Sequence, residues 1–287
     1  MALISDLHLG LAVPAGHHNG FLFNQTEKIG GAAVEAINQL GPDLAVVLGD
    51  ITNSGSADEL AMANGLFARL QMPWYVIPGN HDTKAVESGS FDRVFGRHAG
   101  MGYVRLGDTG MLFVRDFTPG ASAGSTTFIV GDGQAVSLAG AARQDRASRI
   151  LVFSHAPLID VKSHTDACGG VYAGHFSDGD AFVRQLAAGG EGVCPFLFCG
   201  HQHFHHIKET ADWLQCVTAA LIEYPMELRV VTLSREGIRI ETLPAVPPGL
   251  PAQSRNSAAS DWVAGRRSDR EWSNFAKSCW KTRAQLL

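Results

Sequence analysis

Residues 44–50 read LAVVLGD, and this stretch decides the fold. Its five consecutive apolar residues are typical of a β-strand that is covered on both faces. Residues 27–40 before it and 57–70 after it repeat apolar side chains at helical spacing. A buried strand between two helices predicts a largely parallel sheet with its helices packed outside.

Two further apolar stretches, residues 2–5 and 74–77, complete a β-α-β-α-β order. Each of the three strands is followed directly by a short polar motif: Ser5-Asp6-Leu7-His8, Gly49-Asp50 and Gly79-Asn80-His81-Asp82. Functional groups of parallel sheets gather in the loops beyond the carboxyl ends of the strands. We therefore expect these motifs to meet at one edge of the sheet.

The second half of the chain adds two more strand-and-motif pairs. Residues 149–154 lead to His155, and residues 196–199 lead to Gly200-His201-Gln202-His203. The remaining apolar stretches predict a hairpin and three antiparallel strands, at residues 103–106, 111–114, 214–218, 228–233 and 238–243. We expect a second sheet that packs on the first.

The motifs bring carboxylates, imidazoles and one amide to a common rim, which is the ligand set that two divalent cations need. In a strand end, Asp6 and His8 at i and i+2 would point to the same side, as would His201 and His203. Taken singly, Asp-x-His is typical of a solvated loop, Gly-Asp of any turn, and His155 of a buried core histidine. All five motifs in this order, each after an apolar strand, favour a two-metal hydrolase.

This set resembles the motifs of the calcineurin-like metallophosphoesterases: Asp-x-His, Gly-Asp, Gly-Asn-His-Asp/Glu, His and Gly-His-x-His. The resemblance spans residues 6–203, and the spacings are most similar to the bacterial branch with glycerophosphodiesterases and class III cyclic-nucleotide phosphodiesterases. It implies an α/β fold, a four-layer α/β/β/α sandwich of two mixed sheets. It also implies two divalent ions, chosen from Mn, Fe, Zn or Co.

The same resemblance implies which residues hold the ions. The first ion is expected on Asp6, His8 and His203, the second on Asn80, His155 and His201, with Asp50 bridging both. At two positions the sequence differs from other branches of this superfamily. Asn53 stands where purple acid phosphatases have Tyr, and Asp82 stands where the Ser/Thr phosphatases have Glu.

The expected reaction is attack on phosphorus by a hydroxide that the two cations generate. In this hypothesis Asn80 stabilises charge on the phosphoryl oxygens, His81 protonates the leaving oxygen, and Asp82 orients His81, so that Asn80 and His81 both contact the substrate. Further candidate substrate contacts are His17, His18 and His164, for each of which a solvated loop residue is the alternative. His205 and His206 are expected to be exposed and without a catalytic role.

We expect hydrolysis of small phosphodiesters, of the glycerophosphodiester or cyclic-nucleotide type. A phosphomonoesterase or nucleotidase with the same two metals is the alternative enzyme, and a non-catalytic scaffold is the alternative outside catalysis. A net charge of -5 and a pI near 6.2 argue against a partner that is a nucleic-acid polymer. The substrate and a second copy of the chain, in a homo-oligomer, are the expected partners.

Composition also bounds the setting and the domain organisation. The 287 residues contain no apolar run long enough to span a membrane, and the five cysteines are expected to be reduced, as in a cytoplasmic protein. Residues 1–243 are predicted to form the metallophosphoesterase domain. Residues 244–260 are rich in Pro, Ser and Ala and predict a linker, and residues 261–287 predict a helical tail.

Overall fold

Two mixed sheets form the centre of the molecule in the computed structural model, which describes residues 1–10, 15–116, 127–147, 149–188, 194–234, 237–255 and 258–274. The strands are β1 Ala2–Ile4, β2 Ala45–Val47, β3 Trp74–Val76, β4 Gly102–Leu106, β5 Thr109–Phe113, β6 Thr127–Phe128, β7 Arg149–Phe153, β8 His175–Phe176, β9 Phe196–Cys199, β10 His206–Glu209, β11 Leu214–Val217, β12 Glu227–Leu233, β13 Ile238–Pro244 and β14 Trp272–Asn274. The α-helices are α1 Thr26–Leu40, α2 Ala57–Phe67, α3 Thr83–Glu87, α4 Ser90–Phe95, α5 Asp132–Asp145, α6 Lys162–Ala167, α7 Gly179–Ala187, α8 Gly249–Ser254 and α9 Arg267–Arg270.

The first sheet has the order β14-β13-β12-β1-β2-β3. β1, β2 and β3 are parallel, as the β-α-β-α-β order predicts, and β12 joins β1 in the antiparallel sense. The second sheet has the order β10-β11-β9-β7-β5-β4, with β5, β7, β9 and β11 parallel and β4 and β10 antiparallel at its edges. Both sheets are mixed, as expected.

A buried apolar layer lies between the two sheets. It combines Leu3, Val46 and Leu48 of the first sheet with Phe153 and Phe198 of the second. Helices α1, α2 and α4 cover the outer face of the first sheet, and α5 and α7 cover that of the second. The four-layer α/β/β/α sandwich is therefore confirmed, since each sheet buries apolar side chains on both faces.

The start of α2 fixes the loop that follows β2. Ser56 caps the helix by accepting a hydrogen bond from the Glu59 backbone N–H, and Glu59 Oε2 accepts in return from the Ser56 backbone N–H. The same carboxylate oxygen accepts from the backbone N–H and the hydroxyl of Ser54. This capping box holds the chain just beyond Asp50 in one conformation.

One expectation about the later strands needs correction. β11, expected among the antiparallel strands with β12 and β13, instead lies in the second sheet beside β9. Its side chains are buried throughout, so it occupies an interior position that the antiparallel grouping did not foresee. The predicted hairpin is present as β4 and β5, which pair in the antiparallel sense.

The described residues after position 243 contain regular elements in the stretches predicted as a linker and a helical tail. α8 lies within the predicted linker, and the segment after residue 260 continues through a 3-10 helix, Ala258–Ala264, and α9 into a strand, β14. β14 pairs with β13 because its backbone extends the edge of the first sheet. The domain boundaries at 243/244 and 260/261 remain predictions, and residues 275–287 lie outside the described residues. No helix among the described residues is long and apolar enough to cross a membrane.

Candidate metal centre

The five motifs meet where the parallel strands of both sheets end. The Asp6 and His8 backbone N–H groups donate to the carbonyls of Gly49 and Asp50, which aligns the first motif with the second. The Gly200 N–H donates to the His155 carbonyl, which aligns the two motifs of the second sheet. The connection between β11 and β12 also reaches this edge, because the Ile222 N–H donates to the Asp6 carbonyl.

The candidate ligands are presented by left-handed backbone rather than by strand alternation. Positive φ angles occur at Asp6 (54°), His8 (47°), Asp50 (46°), His201 (67°) and His203 (58°). Each such residue costs on the order of 1–3 kcal/mol, and such outliers cluster at functional sites. The expectation that paired ligands share one side because they alternate along a strand was therefore wrong in its cause, although both pairs do reach the same site.

Glycines let the motifs approach this closely. A side chain at Gly79 would overlap the carboxylate of Asp50, and one at Gly200 would overlap Ser5 and Asp6. Neither position tolerates a Cβ atom, so the glycines of these two motifs are required by the crowding of the ligands.

The first group of candidate ligands comprises Asp6, His8 and His203, as the resemblance implied. Their ligand atoms lie within 4.8 Å of one another, and Asp6 Oδ1 is 3.3 Å from His203 Nε2. All three side chains are buried. Both ring nitrogens of His8 are buried and have no hydrogen-bond partner among the described residues. Such atoms fit a metal ion, because a buried polar atom is otherwise costly to leave unpaired.

The second group comprises Asp50, His155 and His201, again within 4.8 Å of one another. His155 Nε2 lies 3.3 Å from Asp50 Oδ2, 3.1 Å from Asn80 Oδ1 and 3.1 Å from His201 Nδ1. Asp50 Oδ2 also lies 3.7 Å from His8 Nε2 of the first group. The Asp50 carboxylate thus lies between the two groups, where a bridging ligand is expected.

Three of the imidazoles are held by an oxygen on the ring nitrogen that faces away from the site. His155 Nδ1 is 2.8 Å from the Leu48 carbonyl, and His201 Nε2 is 2.8 Å from the Ala173 carbonyl. His203 Nδ1 is 2.6 Å from Glu223 Oε1. An N–H on each of these outer nitrogens leaves the inner nitrogen as a lone pair directed at the site, as in metal-binding histidines.

Charge is strongly coupled within the site. Burial by itself disfavours the charged form of His155, but Asp50 raises the pKa of this imidazole to about 9. Burial likewise opposes the charge on His203, but Asp6 and Glu223 raise its pKa to about 10. Burial, together with the nearby rings of His81 and His203, lowers the pKa of His8 to about 3. The carboxylates therefore attract positive charge to the points where divalent cations would bind.

Asn80 and His81 lie at the rim, as predicted, but Asp82 does not contact the His81 ring. The Asp82 carboxylate is fully buried and accepts hydrogen bonds from the backbone N–H groups of Ile51, Thr52 and Gly79 at 2.9–3.1 Å. The His81 ring is oriented instead by the Asn53 carbonyl, 2.9 Å from Nδ1. Asp82 was misassigned because adjacency in sequence does not reveal that its side chain points beneath the loop.

The three further histidines differ in position. The His17 ring lies 5.2 Å from that of His203, and His18 Nε2 lies 3.0 Å from the Gln202 carbonyl, so both border the site. His164 instead stacks on His206 at 3.9 Å and contacts no candidate ligand in any described interaction. His205, expected at the surface, is completely buried beside Glu227 because the Val263 carbonyl and Glu227 cover it.

Sequence reasoning missed Glu223, which is fully buried and contacts His203. The only signal was an acidic residue directly after the apolar residues 219–222, without a motif to mark it. Phe21 was missed as well, although its ring lies 5.6 Å from His8 and 5.5 Å from His203. Both come from loops whose contacts are set by the tertiary fold.

The motifs and this geometry agree with a comparison against known families. The model described as calcineurin-like phosphoesterase matches residues 1–205. The chain belongs to the calcineurin-like phosphoesterase family. The resemblance that the motifs carried is confirmed, and members of this family are named as hydrolases of phosphoesters.

Two curated relatives and one solved structure refine this comparison. The glycerophosphodiester phosphodiesterase GpdQ of Enterobacter lignolyticus is 36% identical over 87 residues, 30% of this chain and 30% of that protein. A probable GpdQ of Arcobacter nitrofigilis is 46% identical over 41 residues, 14% of this chain and 15% of that protein. A dimetal phosphatase from Danio rerio has a TM-score of 0.64 at 13% identity, covering 85% of this chain and 96% of its own. That structural likeness shows the fold alone.

Proposed function

We propose that this phosphoesterase is a dinuclear metal-dependent phosphodiesterase that hydrolyses small phosphodiesters. The observation that carries the proposal is the pair of ligand groups joined at Asp50, each built from buried carboxylate and imidazole atoms within 4.8 Å of one another. The partial likeness to two glycerophosphodiester phosphodiesterases supports the diester class. It covers less than a third of either relative, so the activity rests chiefly on the site.

The residues that would hold the ions are those of the two groups, together with Asn80. Two divalent cations bound there would supply an activated water at neutral pH and neutralise charge on the phosphoryl oxygens. Their identity among Mn, Fe, Zn and Co is left open, because His, Asp and Asn sites accept all four. A dinuclear site on Asp6, His8, Asp50, Asn80, His155, His201 and His203 is the assignment we propose.

His81 is the proposed catalytic acid. Its backbone N–H donates to Asp50 Oδ1 at 2.8 Å, and its Nδ1 is held by the Asn53 carbonyl, so Nε2 is the nitrogen left for the substrate. Its ring lies 4.5 Å from that of His8, close to the first ligand group. From this position His81 would donate a proton to the leaving oxygen. Asn80 would donate to a phosphoryl oxygen through its amide.

The charge of the surrounding chain favours a singly charged substrate. The strand-end segments 5–10, 49–56, 78–83, 154–161 and 200–207 contain neither Lys nor Arg. A phosphomonoester carries a charge of roughly -1.5 to -2 near neutral pH, whereas a diester carries a single negative charge. With imidazoles as the only cationic side chains in these segments, the diester is the better match. His17 and His18 are the proposed additional contacts with the substrate.

The test is hydrolysis after loading with Mn(II) or Co(II), comparing bis(p-nitrophenyl) phosphate with p-nitrophenyl phosphate. We expect diester cleavage by the wild type. Asp50→Ala should lower its rate by roughly 10³-fold or more, which is at least the effect of removing one electrostatic donor from an active site. Preference for the monoester would replace this proposal with a phosphomonoesterase or nucleotidase. Inactivity on both, with two metals bound, would favour a scaffold.

Assembly and cellular setting remain predictions. A homo-oligomer is proposed from the resemblance, and sedimentation of the purified protein would test it. A cytoplasmic location, like the absence of a nucleic-acid partner, is likewise inferred from composition.

A further inference from the structure

Glu223 uses both oxygens of one buried carboxylate. Oε1 accepts from His203 Nδ1–H at 2.6 Å. Oε2 accepts from the backbone N–H of His18 at 3.1 Å and from that of Asn19. The side chain is fully buried, so these partners, rather than water, satisfy its charge. One carboxylate therefore contacts a candidate ligand of the first metal and a loop 204 residues away in sequence.

That loop, residues 15–20, forms a wall of the site and is called here the His17 loop. It places the His17 ring 5.2 Å from His203, and His17 Nε2 is buried without a hydrogen-bond partner among the described residues. The His18 ring is held at Nε2 by the Gln202 carbonyl and packs edge-on against Trp262 at 4.8 Å. The loop thus presents one imidazole toward the first ligand group and uses the other as its anchor.

We propose that Glu223 is a positioning residue that builds the first metal site and the His17 loop on a single carboxylate. This inference rests on the proposed dinuclear site. Its Oε1 fixes the His203 tautomer that directs Nε2 at the metal. Its Oε2 fixes the backbone that carries His17 against the substrate. Metal binding at His203 and the seating of this loop are consequently coupled.

A neutral side chain of the same size could not make the contacts that this carboxylate makes. Three N–H groups point at Glu223, and a carboxylate is acceptor-only, with two oxygens. A glutamine of the same size would turn its NH₂ toward either His203 or the loop. Glu223→Gln therefore keeps the side-chain volume but loses the hydrogen bond either to His203 or to the His17 loop.

The first experiment compares Glu223→Gln with the wild type and with Glu227→Gln. Glu227 is a matched control, since it is a partly buried acid near a histidine, His205, but contacts no candidate ligand in any described interaction. Metal content and affinity are measured on the purified apoprotein by calorimetric titration with Mn(II). We expect Glu223→Gln to lower the affinity for one of the two ions by roughly 10–100-fold, which is the usual effect of losing a residue that orients a metal ligand. Glu227→Gln is expected to bind both ions as the wild type does.

Hydrogen exchange supplies the second readout. In Glu223→Gln, the amides of His18 and Asn19 are expected to exchange faster in both the apo and the Mn(II)-loaded protein. In the wild type, Mn(II) is expected to slow exchange at the same two amides. This measurement does not depend on whether a variant folds. Wild-type metal affinity in Glu223→Gln, or exchange that Mn(II) does not change, would overturn the coupling.

These readouts do not depend on catalysis. A protein that binds metal and couples it to the His17 loop, but cleaves no diester, would contradict only the proposed function. If the wild type cleaves the diester but Glu223→Gln has wild-type metal affinity and amide exchange, only this inference is contradicted.

Discussion

The part of the chain that carries the candidate ligands, residues 6–203, contrasts with the part that follows it, residues 204–274. The first part supplies all the atoms proposed to bind metal, and it coincides with the region that the family model matches. Among its described residues the second part supplies no candidate ligand, yet it contributes Glu223 behind His203 and Trp262 against His18. The identity of the ligands thus lies in one region and part of their orientation in the other.

The two regions also differ in how their side chains are paired. In the ligand-bearing part, acids and histidines converge on one point, with five left-handed residues among them. In the second part, Glu227 lies between a histidine and an arginine and accepts two hydrogen bonds from Arg270, at 2.6 and 2.7 Å. The first arrangement gathers the side chains that are proposed to bind metal. The second neutralises buried charge and stabilises the fold. Substitutions in the two regions should therefore separate turnover from folding.

The largest effect is expected at His81, in the ligand-bearing part. His81→Ala should lower kcat for the diester by about 10²–10⁴-fold, the usual contribution of a positioned acid. Metal content should stay unchanged, because the two ligand groups at Asp6 and at His155 are complete without His81. Steady-state kinetics together with metal analysis check this. Equal loss of metal and activity would instead assign His81 as a metal ligand, since its ligand atom lies within 4.8 Å of those of His8 and Asp50.

The next effect is expected at Glu227, in the second part, and concerns stability. Burial would raise the pKa of Glu227, but His205 and Arg270 lower it from the ordinary 4.5 to about 2. A carboxyl with a lowered pKa stabilises the fold above about pH 4.5, and this contribution disappears as the pH falls toward 2. Glu227→Gln should cost about 1–3 kcal/mol at pH 7, less than a fully buried pair, because Arg270 is partly exposed.

Urea unfolding at several pH values measures this loss. The difference between Glu227→Gln and the wild type should shrink as the pH is lowered from 5 toward 3. Glu241→Gln is the matched control, because Glu241 forms an exposed pair with Arg239 that is worth at most about 1 kcal/mol. A Glu227→Gln difference that does not depend on pH would contradict the assigned ion pair.

The smallest effect is expected at Trp262, where the second part touches the His17 loop. An aromatic pair such as Trp262 with His18 contributes roughly 0.5–1.5 kcal/mol, so Trp262→Leu should raise KM by about two- to tenfold. The kcat should remain nearly unchanged, because Trp262 contacts no candidate ligand in any described interaction. Trp272→Leu is the control, since Trp272 lies in β14 and donates to Glu209, away from the site. Similar KM values for both variants would show that Trp262 only stabilises the fold.

Much of the first region was predictable because its signals are local. Continuous apolar runs marked β1, β2, β3, β7 and β9, and the motifs after them named every member of the two ligand groups. The partner of β11 was not predictable, since an apolar strand of four residues fits either sheet. The contact of Asp82 was missed for a related reason: neighbouring residues point in directions that only the folded loop determines.

The sequence by itself determined the class of fold, the family and the set of residues able to bind two cations. These follow from apolar periodicity and from the order of the motifs, which are properties of short stretches of chain. Tertiary structure alone decided that left-handed turns present the ligands, that Asn53 orients His81, and that Glu223 joins His203 to the His17 loop. The physical reason is that these contacts join segments far apart in the chain, and their geometry exists only after the two sheets have packed together.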